Sequence, residues 1–138
     1  MNIRLLKEED VLDCLELLKQ LTVSGIEFDY KTVFEQISSN DNIYIYVATL
    51  DEKVIGMATI LIEQKLIHLG SRVGHIEDVV VSSSHRNLGI GKKLIEKCVE
   101  TAKQRECYKV ILDCDTKNVP FYSKLGFKDF GTCMKINF

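Results

Sequence analysis

The segment Arg86-Asn87-Leu88-Gly89-Ile90-Gly91-Lys92 decides how this chain is interpreted. It follows an apolar run typical of a strand, residues 76–81, and precedes an amphipathic helical stretch, residues 93–104. Its two glycines leave backbone N–H groups unshielded at the start of a helix, where the helix dipole favours an anion. The spacing is neither that of a Walker A loop nor that of the GxGxxG motif. The segment therefore predicts a pyrophosphate site, and the alternative is a glycine-rich turn that only begins a helix.

Composition places the chain among ordinary globular proteins. Of its 138 residues, 46% are hydrophobic and 28% are charged, and this length predicts one domain, residues 1–138, with one core. The net charge of −2 gives no general attraction to nucleic acid or to anionic membranes. No apolar run approaches the roughly 20 residues that span a bilayer, and the N-terminal residues show no signal sequence. We therefore expect a cytoplasmic protein that binds neither nucleic acid nor membrane.

The cysteines and histidines indicate no metal site. The five cysteines are odd in number, no CxxC pair occurs, and histidines and carboxylates do not cluster at ligand spacing. We therefore expect no bound metal, and we expect the cysteines to act as reduced, mostly buried thiols.

The apolar pattern predicts the element order β-α-α-β-β-β-α-β-α-β. Strands are expected near residues 3–5, 43–49, 54–62, 76–81, 109–114 and 127–136, and helices near 10–21, 30–37, 93–104 and 119–124. A hairpin at residues 51–53 joins the second and third strands, and a β-α-β crossover comes later. The sequence thus predicts an α/β (α+β) fold with a mixed, mostly antiparallel sheet flanked by helices.

These features resemble the GCN5-related N-acetyltransferase (GNAT) superfamily, whose Arg-x-x-Gly-x-Gly loop binds the pyrophosphate of an acyl-CoA. That family has the element order predicted above. Three further segments, GHIEDV at 74–79, YKVILDCD at 108–115 and KNVPFYSKLGF at 117–127, resemble its branch of glucosamine 6-phosphate N-acetyltransferases. The resemblance is close from about residue 65 to residue 127, and in the first sixty residues it lies mainly in the pattern.

The resemblance implies an activity and its cosubstrate. Acetyl-CoA would donate its acetyl group directly to the 2-amino group of D-glucosamine 6-phosphate, giving N-acetyl-D-glucosamine 6-phosphate and CoA for UDP-N-acetylglucosamine biosynthesis. A homodimer that exchanges C-terminal strands is also implied. The residues expected to bind acetyl-CoA are Val79, Val80, Val81, Arg86, Asn87, Leu88, Gly89, Ile90, Gly91, Lys92, Asn118 and Tyr122.

Acetyl transfer requires a group that accepts a proton from the amine and a group that donates one to the leaving thiolate. By resemblance Asp113 and Glu77 act at the amine, and the Tyr122 hydroxyl lies near the CoA sulfur. The backbone N–H near Val79 would polarise the thioester carbonyl. Because Glu77 and Asp78 are adjacent in a predicted strand, we expect them on opposite faces of the sheet.

Asp113 and Tyr122 could have structural roles instead of catalytic ones. Asp113 could cap the turn that follows its strand, although Asp115 suits that role better. Tyr122 could be a core aromatic residue, but we expect that role for Phe121 instead.

The sugar phosphate is an anion and requires basic groups. The residues expected to bind it by resemblance are Thr22, Lys65, Leu66, Ile67, His68, Glu77, Asp78, Tyr108, Lys109 and Asp113. For Lys65 and Lys109 the alternative is a solvated surface lysine. Where the family often has an arginine on the C-terminal strand, this chain has Asn137. The candidates to replace that arginine are Lys135, Arg72 and Lys124.

Two other functions stay open. The acceptor could be a protein, a peptide or a polyamine, or the chain could be a non-catalytic CoA-binding module. Lys65 and Lys109 favour a phosphate over a polyamine, since a polyamine site would be lined by carboxylates. The presence of Glu77, Asp113 and Tyr122 together favours an enzyme.

Overall fold

The computed structural model describes residues 1–22 and 27–138. Its strands are β1 Asn2–Leu5, β2 Ile43–Leu50, β3 Lys53–Gln64, β4 Arg72–Val81 and β5 Cys107–Ile111. Its α-helices are α1 Val11–Leu18, α2 Tyr30–Ser38, α3 Ile67–Gly70, α4 Ile90–Gln104 and α5 Val119–Ser123. Within the described ranges, no helix has both the length and the apolar character that crossing a membrane requires.

The strands form one sheet in the order β1-β2-β3-β4-β5. The first three neighbouring pairs are antiparallel and the β4–β5 pair is parallel. The predicted mixed, mostly antiparallel sheet is therefore confirmed. The hairpin between β2 and β3 is confirmed as well: Asp51 and Glu52 have positive φ angles of 48° and 65°, as a tight two-residue hairpin turn requires.

Helices cover both faces of the sheet. On one face the apolar stripe of α4, which includes Leu94, Ile95 and Cys98, packs on Ile60 and Ile76. This contact is close, because a Cβ on Gly74 of β4 would lie 3.3 Å from the side chain of Ala102.

On the opposite face, which we call the front face, α1 covers only part of the sheet. Its Cys14 and Leu17 pack with Val47, Met57 and Val80 in a smaller cluster. Farther along β3 and β4, the front-face side chains of Leu61 and Glu77 are exposed. This uncovered part of the front face is available to a ligand.

Strand β4 contains a bulge at Asp78. Glu77 lies opposite Thr59 and Val80 lies opposite Met57, so β4 has one more residue than β3 between these pairs. Asp78 has a φ angle of 51°. Strict alternation needs extended backbone at both residues, so the bulge interrupts the pattern from which Glu77 and Asp78 were expected on opposite faces, and that placement stays a prediction.

Strands β4 and β5 separate after a short parallel ladder. Their last paired residues are His75 and Ile111, whereas β4 continues to Val81. Among the residues that the structure describes, 76–81 thus have no strand partner on the β5 side, and an opening forms between the two strands.

Two predicted strand regions differ from the structure. β5 ends at Ile111, earlier than expected, and it is an edge strand on which Tyr108, Lys109 and Ile111 are exposed. Residues 127–136 were expected to be extended strand, but residues 127–138 have no strand assignment, and residues 128–138 are all exposed. An extended segment counts as a strand only when a neighbour accepts its hydrogen bonds.

Candidate active site

The opening between β4 and β5 is bordered by the three valines expected to bind acetyl-CoA. Val79 and Val81 pack against the cluster beneath α4, and Val80 is buried on the α1 side. Their side chains therefore belong to the core, and the backbone groups on the β5 side of these residues face the opening, whereas the β3 side of the strand is paired. A strand edge of this kind can pair with the amide groups of an extended ligand.

The glycine-containing loop leads from this strand into α4. Asn87 and Gly89 have positive φ angles of 65° and 75°, and Gly89 is the N-cap residue of the helix. Arg86 is tied to the end of β4, because its Nε donates to the carbonyl oxygen of Val81 at 3.3 Å. The helix begins at Ile90, three residues earlier than expected.

The first turn of α4 forms an anion-binding surface. The N–H groups of Ile90, Gly91 and Lys92 have no acceptor within the helix, since the ladder begins with Lys93 donating to the carbonyl of Gly89 at 3.2 Å. The helix dipole adds partial positive charge at the same place. Leu88 and Lys92 are exposed beside it. The arrangement suits a pyrophosphate.

Helix α5 packs against the start of α4. A Cβ on Gly91 would lie 3.3 Å from the ring of Phe121, so a larger residue at Gly91 would push the two helices apart. Phe121, which we expected in the core, has 38% of its surface exposed. Asn118 is the N-cap residue of α5 and precedes Tyr122 by one helical turn.

Tyr122 is held by aromatic packing beside the opening. Its ring lies 4.9 Å from that of Phe121 and 6.0 Å from that of Phe127. Burial, together with the nearby charges of Cys114 and Asp113, raises the pKa of the Tyr122 hydroxyl. The hydroxyl is therefore protonated at neutral pH and available as a donor.

Glu77 lies within the electrostatic influence of two other carboxylates, those of Asp113 and Asp78. Partial burial, followed by the negative charges of Asp113 and Asp78, raises the pKa of Glu77, while His75 acts in the opposite direction. This raised pKa makes Glu77 a better proton acceptor than an ordinary carboxylate. Asp115 caps the next turn, as expected, because its Oδ1 accepts from the N–H of Lys117 at 3.1 Å.

The basic candidates lie farther along the front face. Lys109 pairs with Val73, and Ile111 pairs with His75, so Lys109 and Ile111 share the front face of the sheet. Lys109 Nζ lies 5.4 Å from the centre of the Tyr108 ring. The His68 ring lies 4.5 Å from the same tyrosine, which brings the β3–β4 connection next to β5.

Lys65 is not a free cation in this structure. Its Nζ lies 2.7 Å from Oε1 of Glu63, which also contacts His75. Sequence reasoning missed this Glu63–His75 pair. The two-residue spacing of His75 and Glu77 could have indicated the histidine, but Glu63 becomes apparent only from the strand register.

Other expected substrate residues are exposed on the surface. Leu66 and Ile67 project from the β3–β4 connection, and Thr22 follows α1. Of the candidates to replace the C-terminal arginine, Arg72 already donates to the carbonyl of Arg105 at 3.0 Å. Lys124 lies in the groove between α4 and α5, and Lys135 and Asn137 lie in the exposed segment 128–138.

Residues 1–22 and 27–138 contain no group of three or more histidine, cysteine or acidic residues placed to hold a metal ion.

Comparison with known proteins defines the class to which this site belongs. The profile of the Acetyltransferase (GNAT) family matches residues 11–127. The chain therefore belongs to this family.

Individual relatives narrow the comparison. The glucosamine 6-phosphate N-acetyltransferase of Trypanosoma brucei brucei is 37% identical over 142 residues, which cover 99% of this chain and 95% of that protein. The enzyme of the same name from Candida albicans is 40% identical over 90% of this chain and 86% of its own length. The crystal structure of glucosamine-6-phosphate N-acetyltransferase from Arabidopsis thaliana superimposes with a TM-score of 0.94 at 38% identity, covering 99% of this chain and 97% of that one.

Proposed function

We propose that this protein transfers the acetyl group of acetyl-CoA to the 2-amino group of D-glucosamine 6-phosphate, with residues 1–138 acting as a single N-acetyltransferase domain. The placement of Glu77, Asp113 and Tyr122 around the opening between β4 and β5 carries the proposal. The relatives named glucosamine 6-phosphate N-acetyltransferase support the choice of substrate. The products, N-acetyl-D-glucosamine 6-phosphate and CoA, would serve UDP-N-acetylglucosamine biosynthesis.

In this proposal acetyl-CoA enters the opening between β4 and β5. Its pantetheine amides pair with the free edge of residues 79–81, and its pyrophosphate binds the N–H groups at the start of α4. Asn118, the N-cap residue of α5, and Tyr122 on the same helix face the thioester end. The backbone N–H near Val79 polarises the thioester carbonyl.

The acceptor binds on the front face with its amine toward the carboxylates. Glu77 or Asp113 accepts a proton from the amine, directly or through a water, and the amine nitrogen attacks the thioester carbon. As the C–S bond breaks, the Tyr122 hydroxyl donates its proton to the departing CoA sulfur. The amide C–N bond forms as the C–S bond breaks, and the proton held by the carboxylate returns to the Tyr122 phenolate through water. The transfer therefore balances without an acyl-enzyme.

The front face also suits a molecule with an amine at one end and a phosphate at the other. Lys109 and Asp113 are four positions apart, so their Cα atoms are separated by at most roughly 14 Å. A lysine side chain is long enough to reach back toward a sugar phosphate whose amine lies beside Asp113. A polyamine lacks the anion that Lys109 would bind.

An acceptor comparison tests this proposal. CoA release is measured with glucosamine 6-phosphate, glucosamine, spermine and a lysine-containing peptide at equal concentrations. We expect glucosamine 6-phosphate to give the highest kcat/KM by at least about 100-fold, because a charge-assisted contact is worth about 1.5–3 kcal/mol and the phosphate accepts more than one. Turnover only with spermine or the peptide would assign another acceptor, and CoA binding without turnover would indicate a non-catalytic module.

We also propose that the protein is a homodimer in which segment 128–138 of each subunit lies along β5 of its partner. Phe130, Met134, Ile136 and Phe138 are at least 79% exposed, and β5 is the edge strand of the sheet. Exposed apolar side chains beside an unpaired strand edge favour strand addition. Light scattering should give twice the chain mass, and deletion of residues 128–138 should give the single-chain mass. A full-length monomer would refute this arrangement.

A further inference from the structure

A chain of polar contacts crosses the front face from β3 to β4. The Nζ of Lys65 lies 2.7 Å from Oε1 of Glu63, and Oε2 of the same carboxylate lies 2.6 Å from Nε2 of His75. Glu63 is opposite Val73, so it reaches His75 diagonally across the two strands. None of Lys65, Glu63 and His75 was expected to bind acetyl-CoA, and the chain of contacts ends near Glu77, which was expected to act at the amine.

The proton between Glu63 and His75 belongs to the histidine. The hydrogen bonds from Lys65 and His75 lower the pKa of Glu63, so its carboxylate is ionised and acts only as an acceptor. The Nε2 of His75 must therefore carry the hydrogen. This contact fixes the orientation of the His75 ring and places the Glu63 carboxylate beside it.

His75 is also a neighbour of Glu77. The two residues are two positions apart before the bulge at Asp78, so their side chains share the front face at a spacing of roughly 7 Å. The other charged groups that act on Glu77 are the carboxylates of Asp78 and Asp113. His75 is thus the positive group among the residues that influence Glu77.

We propose that Glu63 and His75 are positioning residues for acetyl transfer: Glu63 holds the His75 imidazolium beside Glu77, where its charge favours the ionised, proton-accepting form of Glu77. The inference rests on the proposed function, because Glu77 is taken there as a group that receives the amine proton. Lys65 supports the arrangement by binding the second oxygen of Glu63. This role differs from phosphate binding, which we expected for Lys65 from the sequence.

Removing the charge of His75 should change the pH profile in one direction. The positive charge lowers the pKa of Glu77, so a neutral residue in its place raises that pKa. The acidic limb of kcat/KM in the His75→Gln variant should move upward by about half a unit to one unit. Below the limb this corresponds to a roughly three- to ten-fold loss of kcat/KM relative to the wild type.

Three variants separate charge from structure. Glutamine at position 75 can still donate to Glu63 but carries no charge, whereas His75→Lys restores a cation and should return the limb to its wild-type position. Glu63→Gln should move the limb in the same direction as His75→Gln, because the imidazolium loses its partner. Glu16→Gln is the matched control, since Glu16 also pairs with a lysine, Lys19, but lies on the exposed surface of α1.

The apparent pKa of Glu77 is measured directly as well, from the carboxyl carbon signals of the 13C-glutamate-labelled protein. The Glu77 signal is the one missing from the Glu77→Gln variant. We expect it to titrate at higher pH in His75→Gln and in Glu63→Gln, and at the wild-type pH in Glu16→Gln. This readout needs no acceptor, so it stands even if glucosamine 6-phosphate is not the substrate.

An unchanged Glu77 titration in both His75→Gln and Glu63→Gln overturns the inference, and so does a uniform loss of kcat/KM at every pH without movement of the limb. Failure of the wild type to turn over glucosamine 6-phosphate contradicts the proposed function instead. If His75→Gln does not fold, as judged by circular dichroism, the Glu63→Gln variant decides.

Discussion

Replacing Tyr122 by phenylalanine removes one oxygen atom from the opening between β4 and β5 and leaves the packing around it intact. The phenylalanine ring can keep the contacts with Phe121 and Phe127, at centroid distances of 4.9 and 6.0 Å. We therefore expect the free energy of unfolding to change by less than about 1 kcal/mol. The change isolates the chemical role of the hydroxyl.

The expected loss of turnover follows from the role of a proton donor. General acid catalysis contributes about 10²–10⁴-fold, so kcat should fall by that factor, equivalent to roughly 3–5 kcal/mol in the barrier. Burial raises the pKa of Tyr122, so the wild-type hydroxyl is protonated at every pH from about 6 to 9. The deficit of Tyr122→Phe should therefore be constant over that range.

Steady-state CoA release gives kcat, and isothermal titration gives the affinity for acetyl-CoA, which should change little. Tyr46→Phe is the matched control, because it also removes one hydroxyl, from a buried 2.7 Å hydrogen bond with Thr101. That variant should lose about 1 kcal/mol of stability and keep its kcat. Equal losses of binding and turnover in Tyr122→Phe, or a comparable fall in kcat in Tyr46→Phe, would refute the reasoning.

The acceptor site and the N-terminal ion pair provide three further tests. Lys109→Ala should raise KM for glucosamine 6-phosphate roughly tenfold and leave KM for acetyl-CoA unchanged; the reverse pattern would contradict phosphate binding. Asp113→Asn should lower kcat about 100-fold, and near-normal rates from pH 6 to 9 would exclude it as base or amine-orienting group. Asp10→Asn should cost about 2 kcal/mol of stability at pH 7, because Asp10 is buried and binds Arg4 through both oxygens, at 2.6 and 2.9 Å. The hydrogen bonds from Arg4 lower the pKa of Asp10, so this stabilisation is complete above about pH 4 and is lost as pH falls through the folded value. The difference between wild type and Asp10→Asn in urea midpoint should therefore shrink below pH 4, and a constant difference would count against the ion pair.

Local patterns in the sequence predicted the sheet and its main helix well. The helical spacing of Leu94, Ile95 and Cys98 marks the face of α4 that the structure buries. The sequence predicted the start of α4 three residues too late, because Ile90 and Gly91 follow a glycine in a segment whose composition is typical of a loop. Glycine is unfavourable in a helix interior but is tolerated in the first turn, where the close approach of Phe121 leaves no room for a larger side chain.

The bulge at Asp78 could not be predicted from apolar alternation. The sequence around Asp78 does not indicate a positive φ angle, because the residues on both sides fit an ordinary strand pattern. The extra residue becomes visible only when β4 is placed against β3, since it exists as a mismatch between two ladders. The pairing of Glu63 with His75 was missed for the same reason.

For the C-terminal segment, the sequence predicted a strand that the structure does not contain. Its alternation of apolar and polar residues is typical of a strand, but the described chain offers it no neighbour. A strand pattern predicts a tendency to pair and does not identify the partner. The proposed exchange between subunits supplies that partner, because the outer edge of β5 is free.

The bulge and the separation of β4 from β5 together explain why the candidate site lies where it does. If β4 stayed regular and paired with β5 along its whole length, the backbone groups of residues 79–81 would form hydrogen bonds with β5 and could not bind a ligand. The left-handed Asp78 carries a cost of order 1–3 kcal/mol, and such strain persists where the surrounding structure enforces it. Here Ile76 and Val80, on either side of the bulge, are buried in different clusters, which holds the strand in place on both faces of the sheet. The strained residue thus lies between Glu77 and the strand edge of residues 79–81, and in the proposed function the acceptor and the thioester meet at that junction.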